Sequence, residues 1–155
     1  WGGSFNGGSD YMTILVLLTS TSAFLLPQYS HYIWIYLGVQ VVLSYFISGV
    51  VKLKQPTWRS GESLLYLIQS SNYQIPDKTK HLITNKKVAA ALSWVVIIFE
   101  ISSPLVLLSP NICFFYLVIA TTFHIANFYV FGLNRFIFAW LASYPALVYL
   151  TFMIH

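Results

Sequence analysis

Charge is the scarcest feature of this 155-residue chain. Four Asp or Glu and eight Lys or Arg make up 8% of it, against about 25% in a soluble domain. With 57% hydrophobic residues and a mean hydropathy of +0.71, that scarcity excludes an ordinary water-soluble fold. Cysteine is nearly missing too. Cys113 is the only one, so an internal disulfide is ruled out, and its apolar surroundings make it a small core or lipid-facing residue. A net charge of +4, interrupted by apolar stretches, is too small for nucleic-acid binding. Paired cysteines, a glycine-rich phosphate loop and a Ser-His-Asp spacing are also missing. One intramembrane His and one acid fall short of the three or four ligands of a metal site. The chain shows no repeat and no low-complexity run. It opens at Trp1, with no basic stretch leading into an apolar signal segment, and reads as a portion of something longer.

What is present is apolar length. Five segments run at about residues 11–26, 32–53, 88–108, 111–132 and 136–154. A helix crossing ~30 Å of hydrocarbon needs ~20 residues, so the last four suffice and the first is short. The Thr19-Ser20-Thr21-Ser22 run in that first segment is compatible with a span, because such hydroxyls can bond back to their own helix backbone. The segments lack the period-two alternation of a membrane barrel. The expectation is an all-α integral membrane protein, multi-pass: a bundle of about five transmembrane helices with one interfacial amphipathic helix, forming a single domain over 1–155. Residues 1–10, with four glycines, read as loop. Pro27-Gln28, Ser109-Pro110-Asn111 and Gly132-Leu133-Asn134-Arg135 mark the breaks between helices.

Residues 54–87 differ from the rest. Ser60-Gly61-Glu62-Ser63 is a helix start with an acid in the first turn, and Leu64, Leu65, Leu67 and Ile68 follow as an apolar stripe. This predicts a helix lying in the membrane interface, followed by a polar, basic connector over 70–87. Five spans put this loop, the N-terminal end and Arg135 on one side, together with all eight Lys and Arg. By the positive-inside rule that side is cytoplasmic.

Three residues are too costly to bury without a reason. Glu100 lies deep in the third span, where an acid costs roughly 2.5–3.5 kcal/mol on insertion scales and should face protein. His124 lies in the fourth span, with Thr121 and Asn127 near the same helix face. Lys52 closes the second span, where it can snorkel to the interface or belong to a buried polar site. Arg135 is a boundary residue, and Trp34, Trp58, Trp94 and Trp140 suit interfacial anchoring. Read without further help, these residues leave open a catalytic site and a structural polar cluster. A transporter is less favoured, since no inverted repeat or pair of broken helices is visible.

Two stretches carry a resemblance. Tyr45-Phe46-Ile47-Ser48-Gly49-Val50-Val51-Lys52-Leu53, followed by Trp58 and Gly61, resembles the vitamin K-dependent γ-glutamyl carboxylase and the wider horizontally transferred transmembrane domain (HTTM) family. Phe123-His124-Ile125-Ala126-Asn127, continuing through Phe136 to Leu141-Ala142-Ser143-Tyr144-Pro145, is similar to that family's His-containing span, and Glu100 matches an acidic position. The resemblance implies a site with Lys52, Glu100 and His124 as catalytic residues, and with Asn127, Arg135, Trp58 and Tyr45 binding substrate or cofactor. In the carboxylase, the lysine matching Lys52 deprotonates vitamin K hydroquinone. Oxygen then makes the cofactor a strong base for a substrate glutamate, to which CO2 adds. The implied cofactor is reduced vitamin K or another lipophilic quinol, with no metal. Implied partners are the lipid bilayer and either a peptide substrate or other membrane subunits. The alternative is a non-catalytic structural subunit of a larger membrane complex. Departures are visible: Asn6-Gly7-Gly8-Ser9-Asp10 stands where the carboxylase carries Asn-Asn-His-Ser, one extra residue precedes Trp58, and the carboxylase's large soluble portion has no counterpart. The carboxylase's active side faces the lumen, opposite to the positive-inside expectation, so orientation stays open.

Overall fold

The computed structural model describes residues 8–69, 85–131 and 133–155, and among these every regular element is helical. The helices are α1 (Gly8–Leu25), α2 (Ser30–Lys54), α3 (Pro56–Arg59), α4 (Glu62–Gln69), α5 (Lys86–Ile101), α6 (Pro110–Phe131) and α7 (Asn134–Ile154). Short 3-10 segments at Pro27–Tyr29 and Ser103–Leu108 are the other regular elements among the described residues. Four stretches are long and apolar enough to cross a bilayer: Pro27–Lys54, Lys86–Leu108, Pro110–Phe131 and Arg135–Ile154. The protein is an all-α membrane protein. At 1.5 Å per residue the 18-residue α1 reaches about 27 Å. It packs beside α2 and α7 as a member of the same bundle.

Local chemistry sets the helix ends. Gln55 is extended, as a residue before proline prefers, and Pro56 then occupies the first position of α3. The Asn85 side chain caps α5 by accepting from the Lys87 N–H at 2.9 Å. Hydroxyls in α1 do bond back to the helix, as with Thr13 to the Ser9 carbonyl and Thr19 to the Leu15 carbonyl, both at 2.8 Å.

Three expectations change in detail. Residues 8–10 are already helical, so Asp10 falls in the first turn of α1 and not in a loop. The third span is α-helical only to Ile101. Pro104 has no N–H to continue the ladder, and the chain tightens into a 3-10 stretch whose Ser103 hydroxyl bonds the Val42 carbonyl of α2 at 3.0 Å. The helix expected to start at Ser60 starts two residues later, at Glu62, after Gly61, whose φ of +81° suits glycine, and the one-turn α3 precedes it. The expected connector over 70–87 lies outside the described residues up to position 84, and its last residues open α5.

Close approaches of α2 hold the bundle together, one of them at the end away from the charged loop. At Gly38 of α2, an added Cβ would stand 2.7 Å from the Ala146 carbonyl oxygen and 2.8 Å from Leu150 Cβ, so α2 and α7 touch backbone to backbone there. His31 Nδ1 and the Tyr149 hydroxyl, 2.7 Å apart, join the same two helices at the same end. A core of Val41, Val42, Phe99, Val106, Cys113 and Tyr116 fills the middle. Toward the charged end the helices part around a cavity. Most remaining apolar side chains point outward, among them Phe115, Val118 and Tyr129 on α6, as expected of a lipid-facing surface.

Candidate active site

The cavity holds about 730 Å³ and draws its walls from each of the seven described helices. One side is apolar, built by Met12 and Leu15 of α1, Phe123 of α6 and Phe136 of α7. The other carries polar groups of α2 at helical spacing: Gln40, Ser44, Ser48 and Lys52 lie four residues apart, on adjacent turns of one face. Leu64 and Leu67 of α4 turn inward to its mouth, and Ile68 is buried. The apolar stripe of α4 therefore faces protein.

Glu100 meets Lys52 across the gap between α5 and α2. The Lys52 ammonium donates to both Glu100 carboxylate oxygens at 2.7 Å and to the Ser48 hydroxyl at 2.6 Å. Ser48 in turn donates to Glu100 Oε1 at 3.2 Å. The Lys52 and Glu100 side chains are 17% and 5% exposed. Gly49 makes the meeting possible: an added Cβ would stand 2.8 Å from the Ile101 nitrogen and 2.9 Å from Glu100 Cβ. Glu100 is thus level with the last turns of α2, where a boundary lysine reaches it. The first turns of α5 run on past α2 and are flanked by α3 and α4, with Gly61 seated against the Ala89–Ala90 backbone. Nζ of Lys52 also lies 5.3 Å from the Trp58 ring centroid, within cation–π range.

A second cluster stands further in. The Tyr45 hydroxyl and His124 Nε2 are 2.6 Å apart, and the Tyr144 hydroxyl is 3.5 Å from that of Tyr45. The His124 ring stacks on Trp140 at 5.3 Å and 19°. Trp140 is 8% exposed, so it is a core residue of the site and not the interfacial anchor its residue type suggested. Among the described residues His124 Nδ1 and Trp140 Nε1 are buried with no hydrogen-bond partner. A buried polar group left unmatched costs roughly 1–3 kcal/mol.

Six of the seven residues proposed from the sequence line this cavity: Lys52, Glu100, His124, Asn127, Trp58 and Tyr45. Arg135 does not. Its side chain is 72% exposed and points to Asp10 at 3.5 Å, tying the start of α7 to the start of α1. Thr121 spends its hydroxyl on the Leu117 carbonyl of its own helix at 2.7 Å. Sequence reasoning passed over Gln40, Ser44 and Trp140, and took Ser48 only as part of a motif. No cluster of three metal-ligating side chains occurs among the described residues.

Residues 16–152 match the family model of the HTTM domain. The chain belongs to the HTTM family. No curated protein and no solved structure matches it. The HTTM match takes in α2 to α6 whole, the second half of α1 and all but the last two residues of α7, and all six cavity-lining candidates lie within it.

Proposed function

We propose that this HTTM protein is a membrane-embedded enzyme that binds a lipophilic quinol in the cavity and draws a proton from it through the Lys52–Glu100 pair. One observation carries the reading: an ion pair of two nearly buried side chains stands on the polar side of a cavity whose other side is aromatic and aliphatic. Pairing two charges at such depth is no efficient source of stability, since well-packed apolar residues often do as well or better. A position that keeps both charges beside a cavity fits a chemical role.

The residues suit a flat, hydroxyl-bearing aromatic ligand. The volume falls within the roughly 300–1,000 Å³ of small-molecule sites. Phe123, Phe136 and Trp58 offer ring faces, and His124 and Trp140 hold buried nitrogens still lacking partners. Reduced vitamin K, or a quinol like it, supplies when bound an ionisable hydroxyl and the oxygen-dependent basicity on which a carboxylase-like reaction depends. The chain's own part is narrower. Lys52 and Glu100 hold and move the proton, Tyr45 fixes the His124 ring, Asn127 orients the ligand, and α3 and α4 cover the mouth where a peptide substrate would arrive.

A second reading has an observation of its own. All three ammonium protons of Lys52 are used within the protein, as they would be if the pair only joined α2 to α5 in a structural subunit. The experiment compares wild type with Lys52→Ala in nanodiscs, measuring quinol binding, oxygen-dependent quinol turnover and thermal unfolding. The enzyme reading expects saturable binding by wild type and turnover lost in a variant that still folds. A wild type that folds but neither binds nor turns over quinol sinks it in favour of the structural role.

A further inference from the structure

We infer that the proton acceptor of this site is the Glu100 carboxylate, at Oε2, and that Lys52 stays protonated throughout as the countercharge. The inference rests on the quinol-enzyme reading and assigns roles inside it. The resemblance implies the opposite division of labour, with the lysine as base.

The argument is a count of hydrogen-bonding capacity. An ammonium has three donors and no lone pair. Lys52 Nζ lies 2.6–2.7 Å from Oε1 and Oε2 of Glu100 and from Ser48 Oγ, three partners that match the three N–H groups of an ammonium, a form with no lone pair to take a proton. An ionised carboxylate has about four acceptor sites, two on each oxygen. Oε1 accepts from Lys52 and from Ser48, which fills it. Among the described residues Oε2 accepts from Lys52 alone. One acceptor site therefore remains on the carboxylate, on Oε2 of a residue that lines the cavity; the second lone pair of Ser48 Oγ belongs to a group too weakly basic to hold a proton.

The proton balance agrees. Whatever route a proton takes through this pair, the state with one proton more is an ammonium beside a neutral carboxyl, so the gain resides on Glu100. As the ligand O–H bond breaks, its electron pair stays on the ligand oxygen and the proton forms a new bond to Glu100 Oε2. Neutralising Glu100 weakens its hold on Lys52, which releases an N–H toward the negative ligand oxygen. One negative charge moves by one hydrogen-bond length and the site's net charge is unchanged, which suits a medium that penalises uncompensated charge. Ser48 is a positioning residue: by filling Oε1 it leaves Oε2 as the open side.

The test uses infrared difference spectroscopy on the protein in nanodiscs, with and without a reduced naphthoquinol. The chain has only two glutamates, Glu62 and Glu100. Carbon-13 glutamate in a Glu62→Gln background therefore marks Glu100 without altering it. The expected result is a protonated-carboxyl band that appears on quinol addition and shifts with the label. Turnover adds a second arm. Arginine keeps its charge and cannot serve as a base. Lys52→Arg should retain turnover within about tenfold, while Glu100→Gln loses the roughly 10²–10⁴-fold typical of a removed general base. A quinol-bound wild type without the labelled band overturns the assignment, as does a Lys52→Arg variant that binds quinol but does not turn it over while Glu100→Gln still does. A folded wild type that binds no quinol overturns the functional reading itself, and the assignment with it.

Discussion

Gly49→Ala is a one-methyl test of how the site is assembled. The added Cβ would sit 2.8 Å from both the nitrogen and Cγ1 of Ile101 and 2.9 Å from Glu100 Cβ. Carbon contacts settle at about 3.5–4.0 Å, so α5 must retreat by on the order of 0.7 Å at this level. Two of the three obstructing atoms are a backbone nitrogen and a Cβ, neither of which can swing aside. The Lys52–Glu100 contacts, now at 2.7 Å, would stretch to about 3.4 Å, beyond the usual 2.7–3.2 Å range, unless Lys52 follows. Overpacking of this kind costs about 1–3 kcal/mol. The assay is thermal and denaturant unfolding in a fixed detergent for wild type, Gly49→Ala, Glu100→Gln and the double variant. The first substitution should destabilise by that amount. In the double variant the costs should fail to add by about 0.5–3 kcal/mol, because both act on one contact. A loss under about 0.5 kcal/mol, the range of an inconsequential surface change, would refute the close approach. So would strict additivity refute its link to the ion pair.

Other consequences follow from the same geometry. Tyr45→Phe leaves His124 with neither ring nitrogen partnered, and should destabilise by about 1–3 kcal/mol. Denaturant unfolding checks this, and Phe136→Leu, a cavity-wall change without a polar partner to lose, serves as its control. Gly61→Ala meets both a left-handed φ and the Ala89–Ala90 backbone, so α3 and α4 should loosen and protease cleavage between α2 and α5 should speed up. The Lys86 hydrogen bond and charge hold the Glu62 carboxyl below its usual range. A carboxyl depressed on folding contributes stability above its unfolded value, about 4.3, and loses it as pH falls through the lower folded value. Unfolding midpoints of wild type and Glu62→Gln should accordingly differ by a constant amount above pH 5 and converge below pH about 4. A gap that widens in acid would contradict the sign.

The fold was readable because hydrocarbon imposes length and apolarity on anything that crosses it, and the four long spans announce themselves that way. What was not readable is mostly tertiary. Nothing local at Gly38 or Gly49 says which helix approaches; only the packed bundle makes those positions intolerant of a methyl group. Glu100, His124 and Lys52 stood out because their burial is costly, and they do share a cavity. Counting residues placed Glu100 deep in its span and Lys52 at the end of another, which allowed a contact without specifying it. The register of α5 against α2 brings the two together. Trp140 looked like any aromatic of a membrane protein, and its place beside His124 comes from the way α6 and α7 pair. The Gln40, Ser44, Ser48, Lys52 stripe was the available signal that went unused, since polar residues every fourth position in an apolar helix mark a face turned away from lipid. Arg135 lies off the cavity wall for the converse reason: adjacency in sequence to a cavity-lining span says nothing of which side of a helix end a long side chain takes.

The most direct test of the central claim is where a quinol sits. A photoreactive naphthoquinol would be irradiated with the protein in nanodiscs, with and without an unlabelled competitor, and the adducts located by mass spectrometry. The account predicts competed labelling of cavity residues such as Tyr11, Trp58, Phe123 and Phe136. Labelling confined to outward-facing Phe114, Phe115 and Val118, and unaffected by competitor, would mean that the quinol merely dissolves in the surrounding lipid and that the cavity serves something else.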